Sequence, residues 1–218
     1  MCIRDSVTGD TKVVNRGSCD RMFINTSGVG LVPPGRRLGS QWLEPGDVIL
    51  VSGTVGDHGM AIMSEREGLE LEGALESDTA PLHELTRALL ECAPDIHAMR
   101  DPTRGGLAAV LVEMATRRSL GIELVESAVP VNECVRGACE LLGLDPLFVA
   151  CEGRLVAFVP EKSAAAALVA MRAHPLGRGA ACIGRVTASH PKLVSVETMV
   201  GGRRILDLPF TEPLPRIC

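Results

Sequence analysis

The sequence predicts a mixed-sheet α/β or α+β domain spanning about residues 44–207. Three observations predict it. Segments of helical and of strand periodicity interleave along this stretch. Some strand segments lie close enough together to read as hairpins, so the sheet cannot be purely parallel. Finally, 46% of the 218 residues are hydrophobic and the mean hydropathy is +0.21, which is ample for a buried core.

The elements follow in order. Val7 to Val14 reads as the end of a strand with a turn at Thr8-Gly9-Asp10, and Met22 to Thr26 as a second short strand before glycine-rich Ser27 to Gly30. Val32-Pro33-Pro34-Gly35 is a loop or linker. Pro45-Gly46-Asp47 turns into an apolar strand, Val48 to Ser52; Gly53 to Gly59 bends the chain, and Met60 to Glu67 is a short helix. Leu82, Leu85, Leu89 and Leu90 recur at helical spacing, and Ile96 to Met99 is a short strand. Leu107, Val110, Leu111 and Met114 form an i, i+3, i+4, i+7 stripe that ends at Arg117-Arg118, a basic pair suited to a helix C-terminus.

Gly121 to Val125 is then a strand, and Val131 to Leu142 a helix closed by Gly143. Strands at Leu147 to Ala150 and Leu155 to Val159 flank the tight Cys151-Glu152-Gly153-Arg154 turn. Ser163 to Ala173 is an alanine-rich helix. Ala181 to Val186, Leu193 to Glu197 and Arg203 to Leu206 are strands, the last two a hairpin across Gly201-Gly202. From Leu208 the chain is proline-punctuated and does not continue a sheet.

Composition excludes several function classes. A net charge of −5 and a pI near 5.6 offer no basic surface for nucleic acid. Four Phe, one Trp and no Tyr leave little to stack on bases. No apolar run approaches the roughly 18 residues a membrane span needs, and Met1 to Ser6 lacks the features of an export signal. The expected compartment is a reducing cytoplasm. Eight cysteines without a C-x-x-C pair predict no structural zinc. Cys92, Cys134, Cys139 and Cys182 read as small buried hydrophobes.

Four constellations could carry chemistry. Gly9-Asp10-Thr11-Lys12 joins a carboxylate, a hydroxyl and an ammonium after a glycine, a set able to hold a metal–phosphate group or simply to be solvated. Asp101-Pro102-Thr103-Arg104-Gly105-Gly106 runs into a helix. Its glycines and Arg104 suit an anion, while Asp101 or Thr103 equally suits an N-cap. Glu152 is either a proton-transfer group near the core or an exposed turn carboxylate. Pro209 to Cys218 carries prolines at 209, 213 and 215, and from Asp207 it can reach on the order of 35 Å. Its terminal thiol is either incidental or a carrier that visits a site; its own α-carboxylate does not activate it. His58 lies in a Gly-Asp-His-Gly turn without metal-ligand spacing.

Together these segments resemble the HypE family of hydrogenase maturation proteins: GDTKVV at 9–14, FINTSGVG at 23–30, PGDVILVSGTVGDHGMAIMS at 45–64, DPTRGGLA at 101–108, EGRLVAFVP at 152–160 and the terminal PRIC at 215–218. DPTRGGLA is shared more widely with aminoimidazole ribonucleotide synthetase and selenophosphate synthetase, whereas PRIC is specific. The resemblance implies an aminoimidazole ribonucleotide synthetase-like fold, usually dimeric. It implies residues 1–6 as a non-native leader, 7–43 as a remnant of an N-terminal ATP-binding domain, 44–207 as a complete C-terminal domain and 208–218 as a flexible tail.

It further implies that the carbamoyltransferase HypF carbamoylates Cys218. ATP with Mg²⁺ then drives dehydration to a thiocyanate, and the cyano group passes to iron on a HypC–HypD complex for the NiFe hydrogenase centre. By the same resemblance Lys12 stabilises phosphate charge, Glu152 is the base and Asp10 holds Mg²⁺. Thr11, Arg104, Gly105 and Gly106 complete the nucleotide contacts. Cys151 stands where the resemblance implies asparagine, and Arg21 where it implies glycine. Two other readings remain beside the dehydratase: a non-catalytic carrier or docking module, and a synthetase acting on a small free substrate.

Overall fold

The computed structural model describes residues 30–32, 34–68 and 75–208. Asp10, Thr11, Lys12 and Cys218 lie outside these, as do the strand readings at Val7–Val14 and Met22–Thr26 and the proline-punctuated tail. The chain divides into two compact units, Met1–Pro34 and Gly35–Cys218. All elements described below belong to the second.

Among its described residues that unit is built on one mixed sheet of seven strands: β1 (Val48–Val51), β2 (Ala98–Arg100), β3 (Gly121–Val125), β4 (Val156–Val159), β5 (Ala181–Thr187), β6 (Val194–Glu197) and β7 (Arg203–Leu206). Their spatial order is β2-β4-β1-β5-β3-β6-β7. Only β3 and β6 pair in parallel; the other neighbours are antiparallel, β6 and β7 forming the expected hairpin. Among the described residues five α-helices complete it: α1 (Asp57–Glu67), α2 (His83–Cys92), α3 (Gly106–Arg118), α4 (Glu133–Leu142) and α5 (Glu161–Ala173).

β1 explains why its sequence is apolar at every position. It lies between β4 and β5, and successive side chains enter different cores. Ile49 and Val51 join the cluster under α3, while Leu50 joins the cluster under α2 and α5. The α3 stripe is buried as its periodicity predicts, with Leu107, Val110, Leu111 and Met114 all in the core. A third cluster joins α1 to α4 through Met60, Met63, Val135, Ala138, Cys139 and Val149. Gly143 ends α4 in the left-handed conformation that glycine tolerates without a Cβ penalty.

Three expectations are corrected. Leu147 to Ala150 is not a strand. Pro146–Phe148 forms a 3₁₀ turn, stabilised by the Asp145 carboxylate accepting the Leu147 N–H at 2.9 Å. These residues are apolar because they are wedged between helices α1 and α3, not because they pair in the sheet: Gly59 N–H bonds Ala150 O at 3.0 Å, and Gly106 abuts Leu147 and Val149. The cysteines also differ. Cys139 is buried, but Cys134 is half-buried and Cys92 and Cys182 are exposed, one at the end of α2 and one in β5. The helix over Met60–Glu67 begins three residues early, at Asp57.

Candidate functional site

Topology brings three loops to one end of the sheet. Val51 at the end of β1 and Arg100 at the end of β2 both pair with Val156, the first residue of β4. The Gly53–Asp57 bend, the Asp101–Gly106 loop and the Cys151–Arg154 turn therefore converge there. Ser52 fastens the first to the third: its N–H bonds Leu155 O and its hydroxyl accepts the Leu155 N–H, both at 2.9 Å. Cys151 N–H bonds Pro102 O at 3.0 Å and so fastens the second to the third. The structure thus unites the Arg104-Gly105-Gly106 loop with the Glu152 turn, two of the four constellations named from sequence.

The Asp101–Gly106 loop is not closed by a side-chain cap; neither Asp101 nor Thr103 takes that part, and Gly105 is the N-cap residue with φ 71°. Gly106 donates its N–H to Thr103 O at 2.9 Å, and Leu107 and Ala108 are fully buried. An anion approaching this helix end therefore meets Gly105 and the exposed Arg104 rather than an open row of amides. Gly106 has a packing reason of its own: a Cβ there would lie 2.6 Å from both Leu147 O and Val149 O.

Glu152 is half-buried in a turn held from beneath. Asp78 Oδ1 accepts the Glu152 N–H at 2.8 Å and the Gly153 N–H at 3.2 Å. Arg154 completes the support. Its Nε donates to Thr54 O at 2.7 Å, and its Nη2 donates to Thr54 Oγ1 and to Asp57 Oδ2, each at 3.0 Å. Asn132 Nδ2 donates to Asp57 Oδ1 at 2.5 Å, and the Thr54 hydroxyl bonds Asp57 Oδ2. Burial pushes the Asp78 carboxyl above its ordinary range, against the opposing pull of the two N–H groups and of Arg154.

Cys151, fully buried, accepts the Gly56 N–H on Sγ at 3.2 Å, and burial pushes its thiol up to about 12. It is therefore a neutral packing and hydrogen-bonding group beside Glu152, not a nucleophile. His58 is buried and pairs Nδ1 with Ser77 Oγ at 2.9 Å.

Beside this network lies a cavity of about 460 Å³ whose lining includes Asp57, Glu76, Asp78, Glu133 and Arg154. Four carboxylates against one guanidinium disfavour phosphate there. Among the described residues no cluster of His, Cys, Asp or Glu could hold a metal ion, and Asp10, the residue expected to hold Mg²⁺, lies outside them.

Sequence reasoning missed Asp57, Asp78, Asn132 and Arg154. Asp57 sits beside the noticed His58, and Asp78 in a Ser-Asp-Thr segment with turn chemistry. Neither signal points to a partner 74 or more residues away.

Residues 44–196 match the family described as AIR synthase related protein, C-terminal domain. The chain belongs to that family. Within the AIR synthase related family its resemblance to HypE is borne out. The carbamoyl dehydratase HypE of Azotobacter vinelandii is 54% identical over 212 residues, covering 97% of this chain and 62% of the relative. A crystal structure of a HypE–HypF complex matches with TM-score 0.76 and 44% identity, over 79% of this chain and 56% of that one. A HypE structure in complex with ATP matches with TM-score 0.76 and 43% identity, over 80% and 54% respectively. The chain thus spans about three fifths of the length of the curated relatives it matches.

Proposed function

We propose that this chain takes part in hydrogenase maturation as an ATP-dependent carbamoyl dehydratase acting on its own Cys218. The observation that carries the reading is its 54% identity, across 97% of its residues, to a carbamoyl dehydratase HypE. The relatives' complexes with HypF and with ATP support HypF as the carbamoyltransferase partner and ATP as co-substrate.

An amide oxygen is a poor leaving group. Transfer of the ATP γ-phosphoryl to the oxygen of Cys218 S-carboxamide turns it into phosphate. Departure of phosphate and loss of the nitrogen protons then leave S–C≡N, with ADP and phosphate as the other products. Glu152 takes a nitrogen proton as general base. Lys12 and Arg104 neutralise phosphate charge, with Thr11, Gly105 and Gly106 completing the nucleotide contacts. Magnesium, held by Asp10, would supply charge neutralisation between the phosphates. The thiocyanate is the cyanide source for the iron of the NiFe centre, delivered to a HypC–HypD scaffold from a homodimer in the cytoplasm. No helix among the described residues is long and apolar enough to cross a membrane.

Mass spectrometry of the C-terminal peptide tests the reading. Incubation with HypF and its carbamoyl donor should add a carbamoyl mass to Cys218, and ATP should then remove the mass of water. Cys218→Ala should show neither change; normal behaviour of that variant sinks the proposal. Docking to HypF without ATP binding would instead favour the carrier module.

A further inference from the structure

We infer that Asp78 is a positioning residue for Glu152: by accepting the Glu152 and Gly153 N–H groups together, its carboxylate fixes the direction in which the Glu152 side chain leaves the turn. The inference rests on Glu152 acting as the base.

The contact between the two segments is close on both sides. Besides the bonds at 2.8 and 3.2 Å, Asp78 O lies 1.6 Å from where a Cβ on Gly153 would sit, so the Asp78 backbone occupies the space that any other residue would need. The Asp78 segment is itself anchored to rigid elements. Ser77 Oγ pairs with His58 Nδ1 in α1 at 2.9 Å, and with Thr79 Oγ1 at 2.8 Å. Arg154 Nε stands 3.6 Å from Asp78 Oδ2 while its fork grips Thr54 and Asp57. A chain of contacts therefore runs from helix α1 through Ser77 and Asp78 to the amide of Glu152.

Burying a carboxylate is costly unless its hydrogen bonds are well used, and the Asp78 side chain is fully buried. Oδ1 is used for the two turn amides, while Oδ2 makes no hydrogen bond and faces Arg154 Nε at 3.6 Å. Proton abstraction in turn demands tight geometry, since a misplacement of about 1 Å can cost on the order of 100-fold in rate.

The test compares Asp78→Ala, Asp78→Asn and Glu152→Gln in the full chain, carbamoylated by HypF. Two quantities are read: thiocyanate formation against ATP concentration, and hydrogen exchange at the Glu152 and Gly153 amides. Asp78→Ala should lower kcat by about 100-fold, leave KM for ATP within about twofold, and free both amides to exchange. Asp78→Asn, which keeps an acceptor oxygen, should restore amide protection and most of the rate. An unchanged rate or unchanged protection in Asp78→Ala overturns the inference, as does an equal loss in Asp78→Asn. If Glu152→Gln keeps full activity while Asp78→Ala frees the amides, the base assignment fails and the hold of Asp78 on the turn survives. If the unsubstituted chain forms no thiocyanate, the proposed function fails and the exchange measurement alone decides whether Asp78 holds the turn.

Discussion

Arg154 Nη2 lies 3.0 Å from Asp57 Oδ2, with side chains only 16% and 6% exposed, and the same guanidinium stands over Asp78. One cation thus serves two buried carboxylates from segments that follow β1 and precede α2. Arg154→Met should remove it while leaving both acids in place. Breaking a buried pair on one side costs about 3–5 kcal/mol, because the partner charge is left uncompensated. Urea denaturation should show a fall of that size. Arg154→Lys should recover only part of it, since an ammonium cannot reproduce the planar fork that reaches Thr54 and Asp57 together.

Gly106 and Gly137 should respond oppositely to alanine. At Gly106 a Cβ meets two carbonyl oxygens at 2.6 Å, and the backbone is left-handed at φ 62°. Overpacking costs roughly 1–3 kcal/mol and the left-handed conformation roughly 1–2 kcal/mol, so Gly106→Ala should destabilise by about 2–5 kcal/mol. Gly137 is exposed within α4 and a Cβ there meets nothing within 4 Å. Gly137→Ala should stabilise by about 0.5–1 kcal/mol through helix propensity alone. Thermal melts of the two variants check both signs.

The contrast between these glycines shows what a sequence can and cannot reveal. β1, α3 and α4 were legible because burial against a layered core imposes a period on the residues themselves. Gly143 was legible because a C-cap needs only local backbone geometry. Glu152 was legible as a turn residue beside an apolar strand. The Asp57–Arg154–Asp78 network was not, since a buried carboxylate and an exposed one look alike until a distant cation is placed against them. Leu147–Ala150 misled because apolarity reports burial without saying whether a strand or a wedge between helices provides it. The cysteines misled for the same reason in reverse: a small hydrophobe at the end of α2 or in β5 need not face inward.

Thiol chemistry should separate four of the described cysteines, all but the half-buried Cys134, into two classes. Cys92 and Cys182 are exposed and should react with iodoacetamide at pH 8 in the native protein, Cys92 more slowly because partial burial pushes its thiol up. Cys139 and Cys151 are buried, and burial pushes their thiols up to about 11 and about 12, so both should react only on unfolding. In the unfolded chain these two thiols ionise near 9. Between that value and their folded ones the native state binds more protons, so their contribution to stability is lost as the pH rises. Cys139→Ala should flatten part of this alkaline decline, which peptide mapping and pH-dependent urea melts would together detect.

Asp78 should leave its own mark at the acid end. Its folded carboxyl titrates above the ordinary value of 3.8, chiefly because burial penalises the charge. From 3.8 upward to the folded value the native state holds a proton that the unfolded chain has released. Stability contributed by this group is therefore highest at low pH and falls as the pH climbs through that window, becoming flat above it. Asp78→Asn removes the titration and keeps an acceptor for the Glu152 and Gly153 amides. The stability of the variant relative to the unsubstituted chain should rise across the window and then level off. Urea denaturation at closely spaced pH values from about 3.5 to 7 measures that difference. A difference that falls across the window would mean that the two N–H bonds and Arg154 outweigh burial, and that Asp78 is held as a charge.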